Sequence, residues 1–188
     1  MRPSPERVRE FVLAGHGNLK KVQAMLEETP ALLNMAHEWR PGDTETAIQA
    51  AAHVGDREIA LYLLSCGAPL EISTAAMLGQ VETVREMLRH TPGLAQHKSA
   101  HGIPLLPHAA LSSRLEMLEL VWAYGARDGG SLALSLAVGR GDAAVVRWLL
   151  ENAQSDLGWK NSQGKTLLEM ALEGGHPAVV ELLRAHGG

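Results

Sequence analysis

Residues 46–68 read TAIQAAAHVGDREIALYLLSCGA, and their reading decides the fold. The spacing predicts two short helices joined by a tight turn. The first closes on the small residues Ala50, Ala51 and Ala52, and Gly55 with Asp56 forms the turn. The second carries Ile59, Ala60, Leu63 and Leu64 on one face and stops at Gly67. A hairpin of helices this short exposes an apolar face on each and cannot bury both by itself. It needs neighbours of the same kind, so the rest of the chain must supply copies.

Copies are present in six registers. With the turn residue as origin, the column reads Gly17, Gly55, Gly79, Ser113, Gly141 and Gly175. Four residues earlier stand Leu13, Ala51, Ala75, Ala109, Ala137 and Ala171. Five residues later stand Val22, Ala60, Val84, Leu118, Val146 and Val180. Eight and nine later come Met25-Leu26, Leu63-Leu64, Met87-Leu88, Val121-Trp122, Leu149-Leu150 and Leu183-Arg184. Alanine lets first helices approach closely, and the aliphatic columns form a core running along the stack. Glycine at the turn ends each first helix sharply, because it tolerates a positive φ.

This pattern resembles the ankyrin repeat, a unit of two antiparallel helices and a projecting β-turn. The family signature G-x-T-P-L-H-x-A-A-x-x-G is best kept in Gly164-Lys165-Thr166-Leu167-Leu168-Glu169-Met170-Ala171. It recurs in Thr46-Ala47-Ile48-Gln49-Ala50-Ala51-Ala52 and in Gly102-Ile103-Pro104-Leu105-Leu106-Pro107-His108-Ala109-Ala110. The resemblance implies an all-α fold, a right-stacked helix-turn-helix solenoid of ankyrin-like repeats. It would form one domain, 1–188, with repeats at about 5–35, 36–70, 71–96, 97–128, 129–156 and 157–188.

The repeats alternate. Odd copies end at Thr29, Thr91 and Ala153 and feed long connectors, whereas even ones end in glycine and feed short ones. Gly17, Gly79 and Gly141 are spaced by 62 and again by 62 residues, as duplication of a two-repeat unit would leave them. Projecting turns, or fingers, are therefore expected on repeats two, four and six, roughly 20 Å apart for helices stacked at the usual spacing. Pro30 to Thr46 is the longest irregular stretch.

Composition narrows the class. Hydrophobic residues make up 46% but aromatics only 4%, which suits helices packed through Ala, Val and Leu. The net charge of −4 is spread over interspersed acids and bases, so no basic stripe argues for nucleic acid. Cys66 is the sole cysteine and excludes an internal disulfide. With no export-type N-terminus and no run of eighteen apolar residues, a cytoplasmic monomer without a membrane partner is the expectation.

Chemical motifs give little. GWKNSQGKT at 158–166 imitates a phosphate loop, but the first glycine would have to be Trp159, and no strand precedes it. His97, His101 and His108 cluster in sequence without the spacing of a metal-ligand set. No catalytic residue, cofactor or metal is assigned, and an enzyme is not expected. The alternative is a regulatory module binding a metal or small ligand near the His-rich fourth repeat.

Ankyrin proteins usually bind partners through finger turns and the concave edge of the first helices. On this chain that resemblance points to a partner site at Trp39, Arg40, His53, Met77, Leu78, Leu111, Arg140 and Trp159. Trp and Arg are the residue types that most often dominate interface energy, and Met77, Leu78 and Leu111 would form an adaptable apolar patch. The bland alternatives fold Trp39 back as a lid on repeat one and let the fingerless repeats close over the patch. Trp122 is expected in the core and Trp148 half-buried on the outer layer.

Overall fold

The computed structural model describes residues 3–187; Met1, Arg2 and Gly188, the ends of the expected domain, lie outside them. Twelve α-helices occur among the described residues, as six consecutive pairs. The pairs are α1 (Pro5–Ala14) with α2 (Leu19–Glu28), α3 (Ala47–Val54) with α4 (Arg57–Ser65), and α5 (Ile72–Met77) with α6 (Val81–His90). They continue as α7 (Leu105–Leu111) with α8 (Leu115–Ala123), α9 (Gly130–Arg140) with α10 (Ala143–Asn152), and α11 (Leu167–Glu173) with α12 (Pro177–Ala185). Every pair straddles one of the six turn positions read from the sequence.

The local chemistry explains the boundaries. Ser4 caps α1 by accepting from the Arg7 amide, and Pro5 opens the helix where no amide partner is needed. Thr46 and Gln49 form a reciprocal capping box on α3, and Thr166 with Glu169 repeats it on α11. Gly55 ends α3 in the left-handed region at φ 74°. The equivalent Ser113 adopts φ 57° without being glycine, so the turn geometry prevails over that residue's preference.

First helices touch their neighbours in chain order from α1 to α11, and α6, α8, α10 and α12 touch in the outer layer. The alanine column meets at the first-helix contacts: Ala51, Ala75, Ala109 and Ala171 are fully buried and Ala137 nearly so. Within the column pairs, Leu63, Val121, Leu149 and Leu183 are buried, whereas Leu64, Trp122 and Leu150 are half-buried. The core falls into two clusters, one centred on α1–α4 that also takes in Leu111 of α7, and one drawn from the rest of Ile72 to Leu183. Helix α5 joins them: Ile72, Ala75 and Ala76 belong to the second, while Met77 and the following Leu78 belong to the first.

Three expectations are corrected. The stretch after Pro30 is not irregular throughout, because β1 (Ala36–Arg40) and β2 (Asp43–Thr46) pair antiparallel with Ala36 opposite Thr46. Trp39 is the extra residue in the irregularity between Glu38 and Arg40, and such a bulge re-aims a side chain. The first two fingers are not 20 Å apart but in contact. The His101 amide donates to Asp43 Oδ1 at 2.9 Å. The cause is repeat three, which has no finger and only six residues in α5, so that α3 also reaches α7. Finally, Trp122 is half-buried rather than core: its ring meets Trp148 edge-on at 5.5 Å and lies under the Arg127 guanidinium at 3.7 Å.

Candidate functional site

The chemistry concentrates where the first finger meets the first two repeats. Glu45 in β2 is fully buried, one residue before the cap of α3. Three imidazoles surround its Oε1: His53 Nδ1 at 3.2 Å, His101 Nε2 at 3.4 Å and His16 Nε2 at 3.5 Å. Its other oxygen, Oε2, accepts from Trp39 Nε1 at 2.7 Å. His16 comes from the turn between α1 and α2, His53 from the last turn of α3 and His101 from the tip of the second finger. Four segments thus meet on one carboxylate.

The charge states follow from this geometry. Burial favours the neutral acid at Glu45, but the approach of His16, His53 and Trp39 outweighs it and holds the carboxyl below its ordinary range. The Glu45 carboxylate raises His16 against the effect of burial. Burial pushes His53 down to about 4, and the attraction of Glu45 only partly offsets it. The carboxylate thus favours a proton on His16, whereas burial disfavours one on His53. Asp43, held low first by its bond to His101, supports that ring from the far side through Oδ2 at 3.0 Å.

Beside this cluster runs an apolar groove of about 390 Å3, walled by His53, Val54, Ile103, Pro107, Leu111 and Leu136 among others. It lies where α3, α7 and α9 come together behind the second finger. His108, fully buried in α7, also faces it, donating from Nδ1 to the Pro104 carbonyl at 3.0 Å.

The residues singled out in the sequence are distributed unevenly. Met77 is fully buried and Leu78 and Leu111 nearly so, at 5% and 3% exposed. The short third repeat lets its neighbours close over them, and only Leu111 reaches the groove. Trp39 is half-buried against the first repeat, with Arg9 5.7 Å from its ring and His37 edge-on at 4.6 Å. Arg40 is exposed at the fingertip and paired with Asp43. Arg140 spans two turns, donating to the carbonyls of Leu111 and Gly55 at 3.1 Å each. Trp159 is half-buried on the third finger and packs against the second core cluster.

Of the sequence-clustered histidines, only His101 joins the carboxylate. His16, Glu45 and His53 could together hold a metal ion, since one ligand atom of each lies within 4.8 Å of the others. Twenty-nine residues separate His16 from Glu45 and eight separate Glu45 from His53, so no ligand spacing reveals them. The faint signal is an acid immediately before the α3 cap and a histidine two residues before the turn glycine.

No helix among the described residues is long and apolar enough to cross a membrane. No curated protein matches the chain. A family model described as ankyrin repeats (many copies) matches residues 123–171, from the end of α8 into α11, and the same helix-pair register runs through the flanking segments. Over residues 123–171 the chain is similar to ankyrin repeats, which supports the resemblance read from its sequence.

Proposed function

We propose that residues 1–188 form a single six-repeat ankyrin solenoid acting as a non-catalytic, cytoplasmic module that binds another protein. Ankyrin repeats generally serve protein–protein interaction, and here the reading is carried by the apolar groove behind the second finger. A partner fits it by inserting an aliphatic side chain between Ile103, Pro107 and Leu111, because an apolar wall rewards burial of apolar area and penalises an unpaired polar group. Arg40 and the exposed edges of Trp39, His53 and Trp159 frame the approach. Arg140 contributes by holding the turns of repeats two and four in register, and Met77 and Leu78 by filling the core beneath.

The test uses Leu132→Glu, which places a charge on the half-buried groove wall. Proteins captured from the native host by the wild-type chain are identified by mass spectrometry and compared with those captured by the variant. Loss of one captured partner at an unchanged melting temperature supports the groove. Retention of every partner by the variant overturns it.

A further inference from the structure

We propose that His16, Glu45, His53 and His101 form a four-ligand site for Zn2+, a metal clasp that fastens the first two fingers to the first two repeats. The proposal goes beyond partner binding and stands on the cluster's geometry. In a tetrahedral zinc site with metal–ligand bonds near 2.0–2.1 Å, neighbouring ligand atoms are about 3.3 Å apart. The three imidazole nitrogens stand 3.2, 3.4 and 3.5 Å from Glu45 Oε1. Those three distances are the lengths that the edges from Oε1 have in such a tetrahedron.

The second observation is that these atoms do not satisfy one another. Glu45 Oε1 and His53 Nδ1 are both buried and neither has a hydrogen-bond partner. Burying a carboxylate oxygen and an imidazole nitrogen unpaired is costly. A cation bound between them would satisfy both atoms at once.

The outer contacts complete the pattern. A zinc-bound histidine almost always donates its other ring N–H to a carbonyl or carboxylate, which fixes the ring and its tautomer. His16 Nδ1 lies 3.1 Å from the Val12 carbonyl, and His101 Nδ1 lies 3.0 Å from Asp43 Oδ2. Trp39 Nε1 holds the second oxygen of Glu45, leaving Oε1 as the single donor. Nitrogen and carboxylate donors in a closed four-coordinate set suit Zn2+, whereas Mg2+ and Ca2+ prefer six or more oxygens. His16, Glu45 and His53 have ligand atoms that all lie within 4.8 Å of one another; His101, 3.4 Å from Oε1 on the more exposed rim, would close the fourth position by turning toward the other two imidazoles.

The experiment uses the full chain, stripped with a chelator and titrated with ZnCl2 by calorimetry and thermal melting. One zinc per chain is expected, with a melting temperature about 5–10 °C higher once free zinc exceeds Kd 100-fold. His16→Gln and His53→Gln each weaken binding at least 100-fold and remove the thermal shift. His90→Ala, on an exposed face of α6, changes neither. His101→Gln, at the exposed rim and tolerant of folding, weakens binding by at least about 10-fold. Co2+ in place of zinc gives the visible absorption of a four-coordinate ion in the wild type and not in His101→Gln. Substoichiometric uptake, or equal uptake by wild type and His16→Gln/His53→Gln, overturns the proposal. So does an unchanged affinity and Co2+ spectrum in His101→Gln.

Discussion

The three fingers offer the same pair of positions, one residue before the cap of the following helix and two before its turn. In the first finger the pair is Glu45 and His53, 3.2 Å apart, with the carboxylate fully buried. In the third it is Lys165 and Glu173, 2.5 Å apart, with side chains 36% and 57% exposed. In the second it is Ile103 and Leu111, which both line the groove. The backbone brings these positions together each time, as an acid beside an imidazole, as two apolar walls, or as a reversed and solvated ion pair. The fold supplies the proximity, and the depth of burial decides what that proximity is worth. Glu45 is deep because β1, β2 and the second finger close over it, whereas at the third finger Lys160 and Thr166 make a single bridge.

The comparison breaks most readily at Glu45. Replacing it with Ala strands His16 and the Trp39 indole without their acceptor, and removing one partner of a buried charged group costs about 3–5 kcal/mol. Denaturant unfolding should show that loss. An effect below about 1 kcal/mol would mean that the first finger is as shallow as the third.

A second effect depends on pH. His108 is fully buried, and burial holds its folded-state pKa at about 4 against an ordinary 6.5, with repulsion from His53 and His97 adding to it. The unfolded chain therefore binds this proton first, so stability falls as pH drops from about 6.5 toward 4 and levels off below. By linkage the loss approaches about 3 kcal/mol. His53, also pushed down to about 4, adds a slope of the same sign, so His108→Leu should make the profile shallower across that window by about its own share, and an unaltered slope would refute the assignment.

Trp39 and Trp159 sharpen the contrast further. Trp39→Ala removes the ring from the first core cluster and breaks its bond to a carboxylate, a type worth about 1.5–3 kcal/mol, so the melting temperature should fall by several degrees. Trp159→Ala should cost less, because that ring packs on a looser finger. Equal losses in calorimetric melting would erase the distinction. The smallest effect belongs to Lys165→Ala, which removes an exposed ion pair and should change stability by less than about 1 kcal/mol. A larger loss would show that the third finger relies on its charges as the first does.

Much of this was legible in the chain. The turn column at 17, 55, 79, 113, 141 and 175 falls between paired helices in all six instances, because burial of a short amphipathic helix leaves a periodic trace in the sequence. The alternation of connectors also located the fingers on repeats two, four and six, after the long connectors. The exposure of Trp122, Met77 and Leu78 was not legible. A residue at the margin of its column is covered or bared according to how its neighbours tilt, and here the six-residue α5 draws α3 and α7 together.

What the sequence by itself determined is therefore the repeating unit, the ankyrin resemblance and the order of long and short connectors, since each depends on contacts between residues near in the chain. The tertiary structure alone decided that His16, Glu45, His53 and His101 share one place. They come from four segments with no common spacing, and only the closure of repeats two and four across repeat three brings the second finger onto the first.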